Sequence, residues 1–219
     1  MAVAFDAKAN GSANPGTSVT YAHTVGVGSD RLLILGISTN ATTDKVTTVT
    51  YNGVNMNRLT TQQADTTNFF LYLYYLLAPA TGANNVVVNV SSSEAVFCAS
   101  VSYTGVTNQV SFPDSFNKGT DGTGNYTATT TVVASNCWLF ATSRSNGTVT
   151  AGAGTLIRDN VNTASNISSD SNAAVGTGSQ SLQFNSSPGG ETGWIIASFG
   201  DPSAPVGSTA NNLSLLGVG

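Results

Sequence analysis

His23, Glu94, Glu191, Cys98 and Cys137 are the residues of this 219-residue chain best suited to chemistry. Nucleophilic catalysis needs a base within reach of the nucleophile. His23 is the only histidine, lies inside Tyr21-Ala22-His23-Thr24-Val25, and has no carboxylate beside it in sequence. A lone histidine in a strand reads as a structural or surface residue. Glycoside hydrolysis needs two facing carboxylates, which would have to come from Asp65, Glu94, Asp114 or Glu191. The two glutamates each precede a closing apolar strand, a position that suits a solvent-exposed turn better than a cleft. Asp114, Asn117, Asp121 and Asn125 offer oxygens to a calcium ion from one Gly-rich stretch. Their spacing matches no EF-hand, and turn chemistry is the stronger reading. The sequence therefore assigns no catalytic residue, no metal and no cofactor.

Both cysteines sit in apolar strand patterns without metal-ligand spacing, so they read as free, buried hydrophobes. A disulfide would require their strands to be neighbours. Recognition of a sugar would use exposed aromatic faces. Trp138 and Trp194 lie within apolar strands and read as core. Phe112, Phe116 and Tyr126, around the centre of the chain, are the candidate ligand-facing aromatics.

The background to these few groups is neutral. Charged residues make up 8% of the chain, 7 basic and 11 acidic, for a net charge of −4. Lys8, Arg31, Lys45, Arg58, Lys118, Arg144 and Arg158 are scattered, so no basic stripe exists to hold nucleic acid. No run approaches the ~20 apolar residues of a membrane helix, so no membrane partner is expected. Hydrophobic residues still make up 40%, enough for a core and unlike a disordered chain. Small net charge also leaves copies of the chain little reason to repel one another.

Period-two alternation rich in Val, Thr, Ile, Tyr and Phe, broken by Gly, Asn, Asp and Ser, predicts an all-β protein. The expected strands are 2–6, 18–25, 31–38, 47–51, 69–77, 85–90 and 95–103, then 126–133, 137–143, 154–158, 165–171, 180–184 and 193–199. Asn52-Gly53 is the clearest hairpin signal, since both residues tolerate positive φ. The two series read as a degenerate repeat. Val19–Val25 leads through Gly28-Ser29-Asp30 into Arg31–Ser38, as Tyr126–Val133 leads through Ala134-Ser135-Asn136 into Cys137–Ser143. The expected fold is a jelly-roll-like antiparallel β-sandwich formed by the stacking of two related halves, about 17–106 and 126–200. Residues 107–125 would join them as a loop. Pro202 and Pro205 break the last strand. The tail 201–219 ends in the apolar Leu213, Leu215, Leu216 and Val218, candidate residues for docking on a sheet edge.

Gly28–Ser38, Val46–Val54, Tyr74–Pro79 and Ser102–Val106 together resemble a β-sandwich domain that recurs in bacterial extracellular proteins and in phage structural proteins. Ala151–Gly154 and Trp194–Phe199 extend the resemblance over roughly residues 3–200. It implies the fold and supplies no catalytic motif. Met1–Lys8 lacks the basic and apolar regions of a secretory signal, which favours a virion assembled in host cytoplasm over a bacterial cell surface. The expected function is a non-enzymatic capsid decoration or fibre or tail component. Its partners would be copies of itself and other virion subunits. The alternative is a carbohydrate-binding or adhesive module of a bacterial surface, with a glycan as partner.

Overall fold

The computed structural model describes residues 2–63, 69–107, 112–122, 124–187 and 191–200. Every regular element among them is a strand. The first seven are β1 (Ala4–Val25), β2 (Leu32–Thr39), β3 (Val46–Tyr51), β4 (Val54–Asn55), β5 (Asn57–Gln63), β6 (Phe70–Leu77) and β7 (Gly82–Thr104). Then come β8 (Ser115–Asp121), β9 (Tyr126–Val132), β10 (Cys137–Ser145), β11 (Thr148–Ala151), β12 (Leu156–Val161), β13 (Asn166–Asp170), β14 (Gly178–Ser187) and β15 (Thr192–Gly200). The all-β antiparallel sandwich expected from the alternation is present.

Each half is itself a two-leaved sandwich. In the first, a five-stranded leaf runs 4–13 of β1, 96–104 of β7, β2, β6, β5. Its three-stranded leaf runs 18–25 of β1, 82–90 of β7, β3, with β4 paired on β3. The second half repeats this as β8-β15-β10-β13-β12 and β9-β14-β11. In both, the first strand pairs with the last, the second with the seventh and the third with the sixth, which is jelly-roll winding. The expected stacking of one half on the other holds between the two five-stranded leaves, and each half carries in addition an outer leaf of its own. Four layers exist, with a core inside each half and a third core between the two five-stranded leaves. Leu33, Leu35 and Ile37 point into the first core while Leu32 and Ile34 point into the middle one, so β2 is buried on both faces.

Other differences have local causes. The segments expected at 2–6 and 18–25 are one strand, because β1 pairs along the whole of β7 across irregular register near Pro15. An edge strand tolerates such a residue. The segments 85–90 and 95–103 fuse in β7 for the same reason. Residues 107–125 are not simply a loop, since they contain β8, an edge strand paired with β15. β5 and β11 are polar edge strands whose apolar content was too low to reveal them. The Asn52-Gly53 hairpin forms as expected, with φ of 50° and 75°.

Candidate functional site

The jelly-roll winding lays β1 beside β7 and so brings His23 to Ser100 and Ser102, and Ser102 to Asp6. His23 Nδ1 lies 2.8 Å from Ser100 Oγ and Nε2 lies 3.0 Å from Ser102 Oγ. Ser102 Oγ donates to Asp6 Oδ2 at 2.7 Å, and Ser100 Oγ reaches the Ala9 carbonyl at 3.1 Å. Asp6 also accepts from Gly26 N at 2.8 Å. The absence of a sequence-adjacent carboxylate hid this connection, which runs through a serine. The order is Asp–Ser–His, so the carboxylate does not orient the imidazole as it does in a hydrolytic triad. His23 is 0% exposed, and burial lowers its pKa to about 4 against a smaller opposing pull from Asp6. A sealed, neutral histidine has no access to substrate.

The second half repeats the clasp without the histidine. Asp114 Oδ2 accepts from Ser198 Oγ and from Val133 N, both at 2.9 Å, and Asp114 Oδ1 accepts from Ala134 N at 2.9 Å. Strand registers make Ser198 the equivalent of Ser102 and Thr130 the equivalent of His23. Thr130 bonds Ser115, which bonds Ser198. Asp114 is thus an internal fastener, its carboxylate taken up by three hydrogen bonds from neighbouring strands and turns. Nor do the calcium candidates converge. Asp121 Oδ2 accepts from Trp194 Nε1, Asn125 Oδ1 from Ser186 N, and Asn117 Oδ1 from Lys118 N. Asp114 immediately precedes β8 and Asp121 ends it, roughly 20 Å apart at strand rise.

Between the inner leaves, Asp170 is 0% exposed and accepts from Arg158 Nε at 2.6 Å and from the Tyr103 hydroxyl at 2.8 Å. Arg158 also stacks on Phe5, 4.1 Å from the ring centre. Sequence reading missed this clasp, because its members come from β7, β12 and β13 and nothing local marks them as partners.

The expected exposed glutamates are corrected too. Glu94 lies within β7, bonded to Ser92 and 3.9 Å from Lys45, and Glu191 is 9% exposed. Asp65 lies outside the described residues. Of the candidate aromatics, only Phe116 faces solvent, at 48% exposure. Phe112 packs 4.4 Å from Tyr75, centre to centre, and Tyr126 is buried, stacked on Phe184 and bonded to Ser143. Tyr126 alternates inward on β9, so it cannot meet a ligand. Leu213, Leu215, Leu216 and Val218 lie outside the described residues.

Trp138 and Trp194 are core, and Cys98 and Cys137 are free and buried, as expected. Burial raises both thiol pKa values, Cys137 to about 12. A thiolate is the reactive form, so the native protein should resist thiol-specific reagents at pH 8. Two thiols should titrate once it is denatured. Rapid labelling of the native state would show that one of them is accessible.

What the surface does offer is neutral. Residues 18–25, 46–51 and 82–90 in the first outer leaf, and 126–132, 148–151 and 178–187 in the second, contain no charged residue. Thr20, Ala22, Thr24, Thr48 and Asn85 are exposed on one, and Thr127, Thr131, Thr150, Gln183 and Asn185 on the other. Beside the β3–β4 turn lies a hollow of about 430 Å³ edged by Thr50, Asn52, Asn84 and Asn85. No family model and no curated protein matches this chain.

Proposed function

We propose that this chain is a non-enzymatic structural protein of a phage virion, a capsid decoration or a fibre or tail component, acting by packing against copies of itself and other subunits. The observation that carries this reading is the pair of outer sheet leaves without a single charge. Charge is what interface cores lack, and burying threonine and asparagine rows against a partner strips no ion of water. In support, His23 is sealed from solvent and the Asp114 carboxylate is taken up by strand-to-strand hydrogen bonds. Jelly rolls serve in viral capsids and lectins alike, so the fold by itself favours neither.

In this reading the tail carries the docking residues. A chain lacking residues 206–219 is expected to keep its β-sheet circular dichroism and its unfolding midpoint while losing self-association, or incorporation into particles, by light scattering and sedimentation. Unchanged assembly would remove the tail from the proposal. The hollow beside the β3–β4 turn, lined with amides and hydroxyls, favours a second reading, a glycan-binding or adhesive module of a bacterial surface. A glycan array and a pull-down on cell-wall polysaccharide separate the two. Saturable binding abolished by Asn84→Ala would favour the second.

A further inference from the structure

The two inner leaves meet across a local two-fold axis. β1 lies on β12, and its counterpart relation, β5 beside β8, is made by Lys118 Nζ on the Thr61 carbonyl at 2.6 Å. β7 lies on β13 as β6 lies on β15; β7 on β12 as β5 on β15; β2 on β13 as β6 on β10. β2 on β10 is the contact that maps onto itself. The registers agree at residue level. Leu32 matches Trp138, Tyr103 matches Phe199, and Tyr75 matches Asp170. Even the bulges coincide, at Leu59 in β5 and Arg158 in β12.

A residue on a two-fold axis must face its own equivalent. Gly36 and Thr142 are equivalent by register, and they face each other. A Cβ placed on Gly36 would sit 2.2 Å from Thr142 Oγ1 and 2.6 Å from its Cβ. The next equivalent pair outward is Ser38 and Arg144, and Arg144 donates to Ser38 Oγ at 3.1 Å. Space at the axis admits one side chain, and one half supplies it.

We propose that the inner leaf of the first half is a self-complementary interface whose partner is a second copy of that half, with residues 112–200 occupying the place of that copy in this chain. Self-pairing of the first half sets Gly36 against Gly36 and Ser38 against Ser38, with no like charges opposed. It also brings Phe97 to the place of Gly193, beside Phe69, where the volume that Arg144 fills in this chain is vacated. Self-pairing of the second half sets Thr142 against Thr142 where room for one exists, and brings two Arg144 guanidiniums together. The interface is therefore permissive from one side and forbidden from the other.

The test is a chain of two first halves, in which a second copy of residues 4–107 replaces residues 112–200 behind the native connection. It is expected to be monomeric by light scattering and to unfold in one transition. The converse chain, with two second halves, is expected to aggregate, and Thr142→Gly with Arg144→Ser in one of its copies to restore a monomer. Association of the first-half tandem through an uncovered leaf, seen as higher oligomers that bind a hydrophobic dye, would overturn the proposal. A measurement in the native chain guards against simple misfolding. Gly36→Thr alone is expected to lower Tm by roughly 10 °C, and adding Thr142→Gly to recover most of it. A double variant as unstable as the single would equally sink the two-fold equivalence.

Discussion

Asp170→Ala is expected to destabilise the protein by about 3–5 kcal/mol, or roughly 10 °C in Tm for a chain of this size. The carboxylate is wholly buried, and three donors converge on it: Arg158 Nε, the Tyr103 hydroxyl and, on its other oxygen, Asn172 N at 2.9 Å. Removing it strands Nε of an Arg158 side chain that is 12% exposed and keeps only Asn172 Oδ1 as an acceptor, with a phenol beside it that burial already holds in the neutral form. The loss is mainly the cost of leaving those groups unpaired, and not the net worth of the pair. Symmetry supplies the control. At the other end of the inner interface the equivalent positions are held by Leu59, Tyr75 and Phe199, with Phe112 packed on the latter two. The triple replacement Tyr103→Phe, Arg158→Leu, Asp170→Tyr should therefore regain more than half of what Asp170→Ala loses. Denaturant midpoints for the three proteins decide it. A loss below about 1 kcal/mol on Asp170→Ala would mean that water reaches the clasp and satisfies it.

The class of fold and its doubling were legible because both reside in short-range pattern. Alternation marks β3, β9 and β14, and the paired runs Arg31–Ser38 and Cys137–Ser143 fall on equivalent strands of the two halves. Edge strands were not legible. Asn57–Gln63 has Leu59 as its one apolar residue, and Ser115–Asp121 reads as turn sequence while its backbone is fixed by β15. The layering was hidden for a different reason. An apolar run such as Leu32–Ile37 says that a strand is covered on both faces without saying by what.

The site residues were hidden by distance along the chain. Ser102 lies 79 residues from His23 and 96 from Asp6. No fixed spacing could reveal them. Aligning the halves strand by strand places Asp6 with Asp114 and Ser102 with Ser198, yet the two pairs lie 96 and 84 residues apart, so the repeat shows only once the strands are paired. The same alignment sets His23 against Thr130, so the histidine is an addition to a motif that holds without it. The contrast explains why the most reactive-looking residue in the sequence is sealed between two strands. It fills a slot in a strand-to-strand weld.

Acidification from pH 7 to pH 4 is expected to cost the folded state about 3 kcal/mol through His23 alone. The relay from Asp6 through Ser102, His23 and Ser100 to the Ala9 carbonyl has four links. With neutral imidazole, the two hydroxyls and one ring N–H supply three protons, so one link stays unfilled. Protonation would fill it, and Asp6 favours that. Burial opposes it and wins, holding the pKa near 4, below the 6.5 of an unfolded chain. The unfolded state therefore binds the proton first as pH falls. Stability is full above pH 6.5, declines through the interval down to pH 4, and loses nothing further from this group below it. His23 is the only histidine, and model carboxylates titrate near pH 4. The slope between pH 6.5 and 5 therefore belongs to one side chain. Denaturant unfolding at pH 7, 6 and 5 should give a slope approaching one proton, and His23→Gln should flatten it while lowering stability at pH 7. A wild-type protein equally stable at pH 7 and pH 5 would show that the imidazole is solvated or already charged in the native state.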